Sequence, residues 1–194
     1  MPLYGLAAAA AAFELFVLWG ALHPEVSPDY RAYYIDHTIT CLDQAVSGAY
    51  RLGAVIDFTS PGRHSAMPLR VCGWDGPAGD GTHAVGDSSR LRFTFDAPAE
   101  PLRLVVEMVA VDRSGPAGQR VEIVVNGEAI DIVTVPIGTV EQFTIALPSA
   151  LIAAADGRFD IEFVYPQAIL MSPADSDTRK RSIKLVSAGI LPAT

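Results

Sequence analysis

The stretch "QRVEIVVNGEAIDIVTV", residues 119–135, decides the fold class of this chain. Apolar and polar residues alternate on both sides of Asn126-Gly127, which is the pattern of a β-strand with one buried face. An Asn-Gly pair between two strands is the strongest short-range signal for a β-hairpin, because both residues tolerate the positive φ angles of a tight turn. The stretch therefore predicts two antiparallel strands joined by a two-residue turn.

The same period of two continues on both sides of this hairpin. In "RLRFTFDA", at 90–97, every second residue is apolar up to the end of the run. Glycine and proline separate the short runs, and the helical pattern in this region is confined to "PSALIAAAD" at 148–156. Short strands at regular spacing predict an all-β fold, a jelly-roll-like β-sandwich of about nine strands over residues 50–194. The further predicted strands are 50–59, 69–74, 102–112, 140–147, 158–165 and 182–191.

Composition restricts the class of partner. The chain has 194 residues, a mean hydropathy of +0.29 and a formal net charge of −8. This length is enough for one domain with a buried core. The first cluster of basic residues is "RKR" at 179–181. An acidic chain without a basic stripe argues against nucleic acid and against an anionic-lipid patch as partners.

An apolar run, "LYGLAAAAAAFELFVLWGAL", extends from Leu3 to Leu22 and carries one charge. A helix of this length covers about 30 Å, the thickness of a bilayer core. The run predicts a single transmembrane anchor at 1–22, with Trp19 at the membrane interface. Its insertion is finely balanced, because Glu14 costs roughly 2.5–3.5 kcal/mol and the large apolar side chains together gain about 2.4–4.8 kcal/mol.

The charges around this run bear on processing and orientation. No Lys or Arg precedes Arg31, so the basic n-region of a signal peptide is missing. We therefore expect an uncleaved anchor, with a cleaved signal peptide and a buried helix as the alternatives. The same lack of bases gives no signal that would hold the following residues in the cytoplasm. We expect the large domain to be exported.

Glu14 shares a helical face with small residues. Ala7, Ala10 and Ala11 lie seven, four and three positions before it. Small side chains let another helix approach closely, and the carboxylate would accept a hydrogen bond from that helix. The pattern predicts that these four residues contact other transmembrane subunits of a complex. The alternative is a carboxylate that is protonated in lipid or reaches water, without a partner helix.

Residues 23–49 have no steady period and form a connector with a tyrosine cluster at 30–34. The two cysteines are Cys41 in this connector and Cys72 in the predicted sandwich. In an exported protein an even pair suggests one disulfide, which would tie the connector to the sandwich. Two buried free thiols are the alternative, because the sequence does not show whether the two Cα atoms come within bonding range.

No motif indicates catalysis or a cofactor. The sequence has no G-x-S-x-G, no S-x-x-K and no glycine-rich phosphate loop, and nothing marks a catalytic pair of carboxylates. His37 and Cys41 are four residues apart, but no further metal ligands accompany them. Asp175 and Asp177 lie in an acidic turn that could hold calcium, and a turn contact with Arg179 is the favoured alternative. We expect no enzymatic activity, no cofactor and no metal site.

The segment "CGWDGPAGDGTHAVGDSSRLRF", 72–93, joins a Gly-Trp pair, a glycine-rich turn and a strand. Together with "VVNGE" at 124–128 and "SPADSDTR" at 172–179, it resembles the C-terminal β-sandwich of bacterial membrane glycosyltransferases and phosphoglycerol-transferase-like proteins, over roughly 50–191. The resemblance implies a non-catalytic module that accompanies glycan-building machinery, in the bacterial inner membrane with its sandwich in the periplasm. His83-Ala84 replaces a second tryptophan or serine pair, so the chain departs from that pattern at a sugar contact.

The sequence thus supports two functions of different classes. The leading prediction is a non-catalytic accessory subunit, anchored in membrane lipid, whose helix docks on a larger membrane complex. The alternative is a glycan-binding module associated with cell-envelope polysaccharide synthesis, because sandwiches of this type stack sugars on exposed aromatic side chains. The aromatic candidates are Trp74, Tyr165 and the tyrosines of 30–34. For Trp74 a core position is the alternative, and burial of these side chains would leave no stacking surface.

Overall fold

A computed structural model describes residues 2–26, 30–31, 35, 41–96, 100–111, 118–170 and 179–193. In these residues the helices are α1 (Pro2–Leu22), α2 (Arg63–Ala66) and α3 (Ser149–Ala154), with a 3-10 turn at Met67–Leu69. The strands are β1 (Ile56–Asp57), β2 (Arg70–Cys72), β3 (Trp74–Ala78), β4 (Gly81–Val85), β5 (Ser88–Thr94), β6 (Leu102–Ala110), β7 (Gln119–Val125), β8 (Glu128–Val135), β9 (Glu141–Leu147), β10 (Arg158–Val164), β11 (Ile169–Leu170) and β12 (Lys180–Pro192).

The strands form two antiparallel sheets that enclose one apolar core. One sheet has the order β3-β4-β12-β6-β9, with β1 and β11 also paired to β12, and the other has the order β2-β5-β10-β7-β8. The predicted all-β sandwich is therefore confirmed, whereas its assignment as a jelly roll stays a prediction. The described strands outnumber the nine expected, because β11 has only two residues and β3 and β4 lie in a glycine-rich segment without clear alternation.

The hairpin that decided the fold class is present. β7 and β8 pair in antiparallel register, and Asn126 and Gly127 join them with φ angles of 50° and 86°. Two successive positive φ angles are what a type I′ turn requires, which explains the Asn-Gly pair. The helical pattern at 148–156 also appears, as α3.

The N-terminal run is helical, as its pattern predicts. Its described large apolar side chains are exposed, and Phe13 and Leu22 are each 67% exposed. Within the residues that the structure describes, no helix has the length and apolar character needed to cross a membrane. The predicted transmembrane helix at 1–22 is therefore not supported.

The sequence singled out five residues of this helix as contacts with a partner helix or with the membrane interface. Glu14, Ala10 and Ala11 are exposed on α1, and Ala7 belongs to the same helix. Their contact with another helix stays a prediction. Trp19 is also exposed, and its ring stacks on that of His23 at 5.0 Å between centroids. Its predicted place at a membrane interface stays a prediction.

The end of the connector is held on the sandwich. Cys41 and Cys72 form a disulfide with 5.4 Å between their Cα atoms, so the pair takes the bridged state rather than that of two free thiols. Two backbone contacts follow: the Gln44 N–H donates to the Val71 carbonyl at 3.0 Å, and the Gly48 N–H donates to the Pro68 carbonyl at 2.9 Å. The chain from 41 to 50 is thereby directed towards the end of β5.

Candidate functional site

The structure encloses the two aromatic residues that the sequence proposed as sugar contacts. Trp74 is 4% exposed; its ring lies 5.9 Å from that of Phe163, and its indole N–H donates to the Arg90 carbonyl at 2.9 Å. Tyr165 is 1% exposed, and its hydroxyl is hydrogen-bonded to Ser89 Oγ. Neither ring has a free face on which a sugar could stack, so the glycan contacts predicted at Trp74 and Tyr165 are wrong.

The chemistry of Tyr165 agrees with a structural role. Burial raises the pKa of its phenol far above the ordinary value, and the hydrogen bond with Ser89 offsets only part of that effect. Of the tyrosine cluster, Tyr30 is 49% exposed. Tyr33 and Tyr34 lie outside the described residues.

A different aromatic surface lies at one end of the sandwich. Here the end of β5, helix α3 and the segments just before β6 and β10 surround a cleft of about 1100 Å³. We call it the end cleft, and its lining residues are Tyr50, Leu52, Thr94, Phe95, Asp96, Glu100, Pro101, Ser149, Ile152, Ala153, Asp156 and Gly157. These residues come from four separate parts of the sequence. Antiparallel strand pairing brings these parts together, and residues 50–54 pass beside them.

Tyr50 forms a fixed wall of this cleft. Its hydroxyl accepts a hydrogen bond from the Ile190 N–H at 2.9 Å and lies against the carbonyl oxygens of Ala54 and Ile190. Burial raises the pKa of the Tyr50 phenol, although the backbone hydrogen bond at Ile190 acts in the opposite direction. Since the hydroxyl already has backbone partners, the ring is what this residue offers to a ligand.

Phe95 is the second aromatic wall. Its ring is half-buried and lies parallel to the fully buried ring of Phe159, with 5.1 Å between centroids and 11° between planes. The ring of Tyr50 meets it edge-on at 5.6 Å. The Phe95 N–H also donates to the Gly157 carbonyl at 2.9 Å. The ring is therefore fixed on one side by the core, while its remaining surface lines the cleft.

Acidic side chains complete the end cleft. Asp96, Glu100 and Asp156 are all exposed, and Thr94 and Ser149 add hydroxyl groups. Carboxylate oxygens accept hydrogen bonds, and hydroxyl groups both donate and accept them. The cleft therefore combines aromatic walls with oxygen atoms that accept hydrogen bonds.

A second, smaller depression of about 420 Å³ lies at the C-terminal end of α3. Its lining includes Arg90, Asn126, Arg158, Asp160 and Glu162, and it has no aromatic side chain among the described residues. Its acids are already neutralised, since Asp160 is 2.8 Å from Arg158 and Glu162 is 3.7 Å from Arg90. Its polar groups mainly satisfy one another.

The pKa of Asp160 reflects these ion pairs. Burial alone raises it, but hydrogen bonds from Arg92 and Arg158 outweigh burial and hold the pKa below its ordinary value. The carboxylate of Asp160 therefore belongs to a surface ion-pair network. The end cleft remains the better candidate for a ligand site.

The described part of the chain contains no group of three or more His, Cys, Asp or Glu residues that could hold a metal ion. Arg179, which the sequence placed beside an acidic turn, lies 3.6 Å from Asp75. Asp175, Asp177 and His37 lie outside the described residues.

Comparisons with known proteins give weak similarities in fold only. No family model and no curated protein matches the chain. Among solved structures, it is similar to the CBM36-1 domain of a multidomain xylanase from the hindgut metagenome of Trinervitermes trinervoides, at 14% identity and a TM-score of 0.40, over 70% of this chain and 95% of that one. A carbohydrate-binding module CBM36 solved with calcium and xylotriose matches at 13% identity and a TM-score of 0.37, over 78% and 98%. CBM35 from Cellvibrio japonicus Abf62 matches at 14% and 0.35, over 80% and 97%. These values do not assign a family, and the resemblance to membrane glycosyltransferase modules stays a prediction.

Proposed function

We propose that this chain binds glycan without chemically altering it, and that the end cleft is the binding site. The observation that carries the proposal is the pair of half-buried rings, Tyr50 and Phe95, in a cleft of about 1100 Å³ that also carries exposed carboxylates. Glycan binding is the alternative function that the sequence suggested. The site proposed here is the end cleft, which a ligand can reach, and not the buried Trp74 and Tyr165.

The composition of the cleft suits a sugar ring. A pyranose ring presents C–H groups on its faces, which pack on an aromatic side chain, and hydroxyl groups around its edge, which donate to carboxylates. Ligand pockets are typically about 300–1,000 Å³ and combine apolar walls with a few polar groups. The end cleft, at about 1100 Å³, is slightly larger than that range, so it has room for more than one linked sugar.

Solvent exposure favours binding over hydrolysis. A glycosidase needs one carboxylic acid whose pKa is raised, commonly by an apolar, enclosed setting, so that it can protonate the leaving group. Asp96, Glu100 and Asp156 are all exposed. None of them lies in an apolar enclosure, which supports a non-catalytic role.

The test is calorimetric titration of the full chain with a panel of oligosaccharides, for the native protein and two matched variants. Phe95→Leu keeps an apolar side chain but removes the aromatic face, and should weaken glycan binding by about 2- to 13-fold, the equivalent of about 0.5–1.5 kcal/mol. Phe143→Leu is the control, because Phe143 is a half-buried phenylalanine on β9 that does not line the cleft. Equal affinity of Phe95→Leu and the native chain, or no binding to any glycan, would contradict the proposal.

A further inference from the structure

We infer that the end cleft selects uncharged glycans and rejects anionic ones such as uronates. This inference rests on the proposed glycan-binding function and adds the class of sugar. It starts from the signs of the charges around the cleft: the described lining includes Asp96, Glu100 and Asp156, but no Lys, Arg or His.

The charges of these acids are not neutralised by neighbouring side chains. Elsewhere on the sandwich acids are paired, as Asp160 is with Arg92 at 2.7 Å and Asp87 is with Lys180 at 2.7 Å. Among the described residues, none of the three cleft acids forms an ion pair. The field inside the cleft is therefore negative, in a chain whose formal net charge is −8.

A negative cleft distinguishes glycans by charge. The hydroxyl groups of a neutral sugar donate hydrogen bonds to the carboxylates, and such bonds to a charged acceptor are stronger than those between neutral groups. A uronate carboxylate placed near Asp96, Glu100 or Asp156 meets like charge and finds no cation among the described residues that line the cleft. Even at the dielectric constant of water, repulsion between two like charges about 4 Å apart lowers the affinity by about fivefold. The acids thus act as both attractive and repulsive elements, which is how binding sites commonly achieve specificity.

The test compares hexasaccharides that differ at C6, where a carboxylate replaces the hydroxymethyl group. The full chain is titrated with oligomers of glucose, mannose and galactose and with the uronic acid counterparts of each, at about 20 mM and about 0.5 M salt. We expect at least one neutral oligomer to bind at least fivefold more tightly than its uronate at low salt, with a smaller ratio at high salt because salt screens exposed charges. Equal or tighter binding of the uronates would overturn the inference while leaving glycan binding intact. Absence of binding to every oligomer would overturn the proposed function itself, and the inference with it.

A pair of variants locates the source of the selectivity. Glu100→Gln removes one cleft charge with little change in shape, and should lower the ratio of neutral to uronate affinity by about two- to fivefold at low salt. Glu141→Gln is the control, because Glu141 is an exposed acid at the start of β9 that does not line the cleft. It should leave the ratio unchanged. An unchanged ratio in Glu100→Gln, or an equal fall in both variants, would show that the cleft acids do not set the selectivity.

Discussion

Two aromatic clusters in this sandwich have similar chemistry and opposite exposure. The inner cluster contains Trp74, Phe163 and Tyr165, none of which is more than 4% exposed. The cleft cluster contains Tyr50 and Phe95, both half-buried at the end cleft. Each cluster has a tyrosine whose hydroxyl is hydrogen-bonded and rings that meet edge-on. What separates them is their position along the strands, which decides whether a ring stabilises the fold or remains available to a ligand.

Backbone geometry explains the two positions. Gly73, with φ of 75°, directs the chain so tightly past β5 that a Cβ atom there would lie 2.3 Å from the Ser88 carbonyl oxygen. The following Trp74 enters β3 with its indole inside the sandwich. Phe95 continues the inward phase of Leu91 and Phe93, but it lies one residue beyond the end of β5. Only one side of its ring is therefore covered by the core.

The largest expected effect is on stability, at the inner cluster. Trp74→Ala removes a buried indole and should lower the free energy of unfolding by about 3–5 kcal/mol, as large-to-small changes in a core do. Urea unfolding followed by circular dichroism measures this, and Trp74→Phe should lose less. If Trp74→Ala instead kept native stability and lost glycan affinity, the assignment of the two clusters would have to be reversed.

The disulfide beside the inner cluster comes next. Cys41 and Cys72 are 31 residues apart in sequence, so replacing both by serine should cost about 3–4 kcal/mol of stability through the entropy of the unfolded chain. Reduction of the native protein should lower the free energy of unfolding by a similar amount, which a lower urea midpoint would show. Glycan affinity at the end cleft should remain, because neither cysteine lines it. A reduced protein with an unchanged midpoint would contradict the stabilising role of the bridge.

A smaller loss is expected from Tyr165→Phe. The change leaves the fully buried Ser89 hydroxyl without its partner, which should cost about 1–3 kcal/mol. The double variant Ser89→Ala/Tyr165→Phe removes both polar groups and should recover part of that loss, a coupling that a double-mutant cycle measures. Strictly additive losses would argue against the hydrogen bond between the two hydroxyls.

The smallest change in stability is expected in the cleft cluster. Phe95→Leu exchanges one apolar side chain for another at a half-buried position and should cost less than about 1.5 kcal/mol, well below the loss in Trp74→Ala. The same urea series measures both variants. A loss in Phe95→Leu as large as that in Trp74→Ala would mean that Phe95 is a core residue whose exposure has been overstated.

The sequence predicted those parts of the fold that depend on local pattern. The strands around Asn126-Gly127 follow from alternation and turn chemistry, and α3 follows from a short apolar helical pattern. The sequence predicted the strands of the segment at 72–93 only in part, because its glycines interrupt the alternation. It forms the β3–β4 hairpin, and the same segment places Trp74 in the core.

The candidate site could not be predicted in the same way. Its aromatic walls, Tyr50 and Phe95, are 45 positions apart, and Asp156 and Ser149 come from a third region. Which of these residues meet is decided by strand pairing, such as that between β5 and β10. Phe95 carried one usable signal: it is an apolar residue in phase with β5 but beyond its end, and such residues lie at the rim of a sandwich.

Nuclear magnetic resonance titration tests the central claim most directly. The isotopically labelled full chain is titrated with the neutral hexasaccharide that binds best, and the resonances of the two clusters are followed together. We expect saturable shifts of the ring signals of Tyr50 and Phe95 and of the Gly157 amide, while the indole N–H signal of Trp74 stays in place. Shifts centred on Trp74 or Tyr30, with Tyr50 and Phe95 unchanged, would contradict glycan binding at the end cleft.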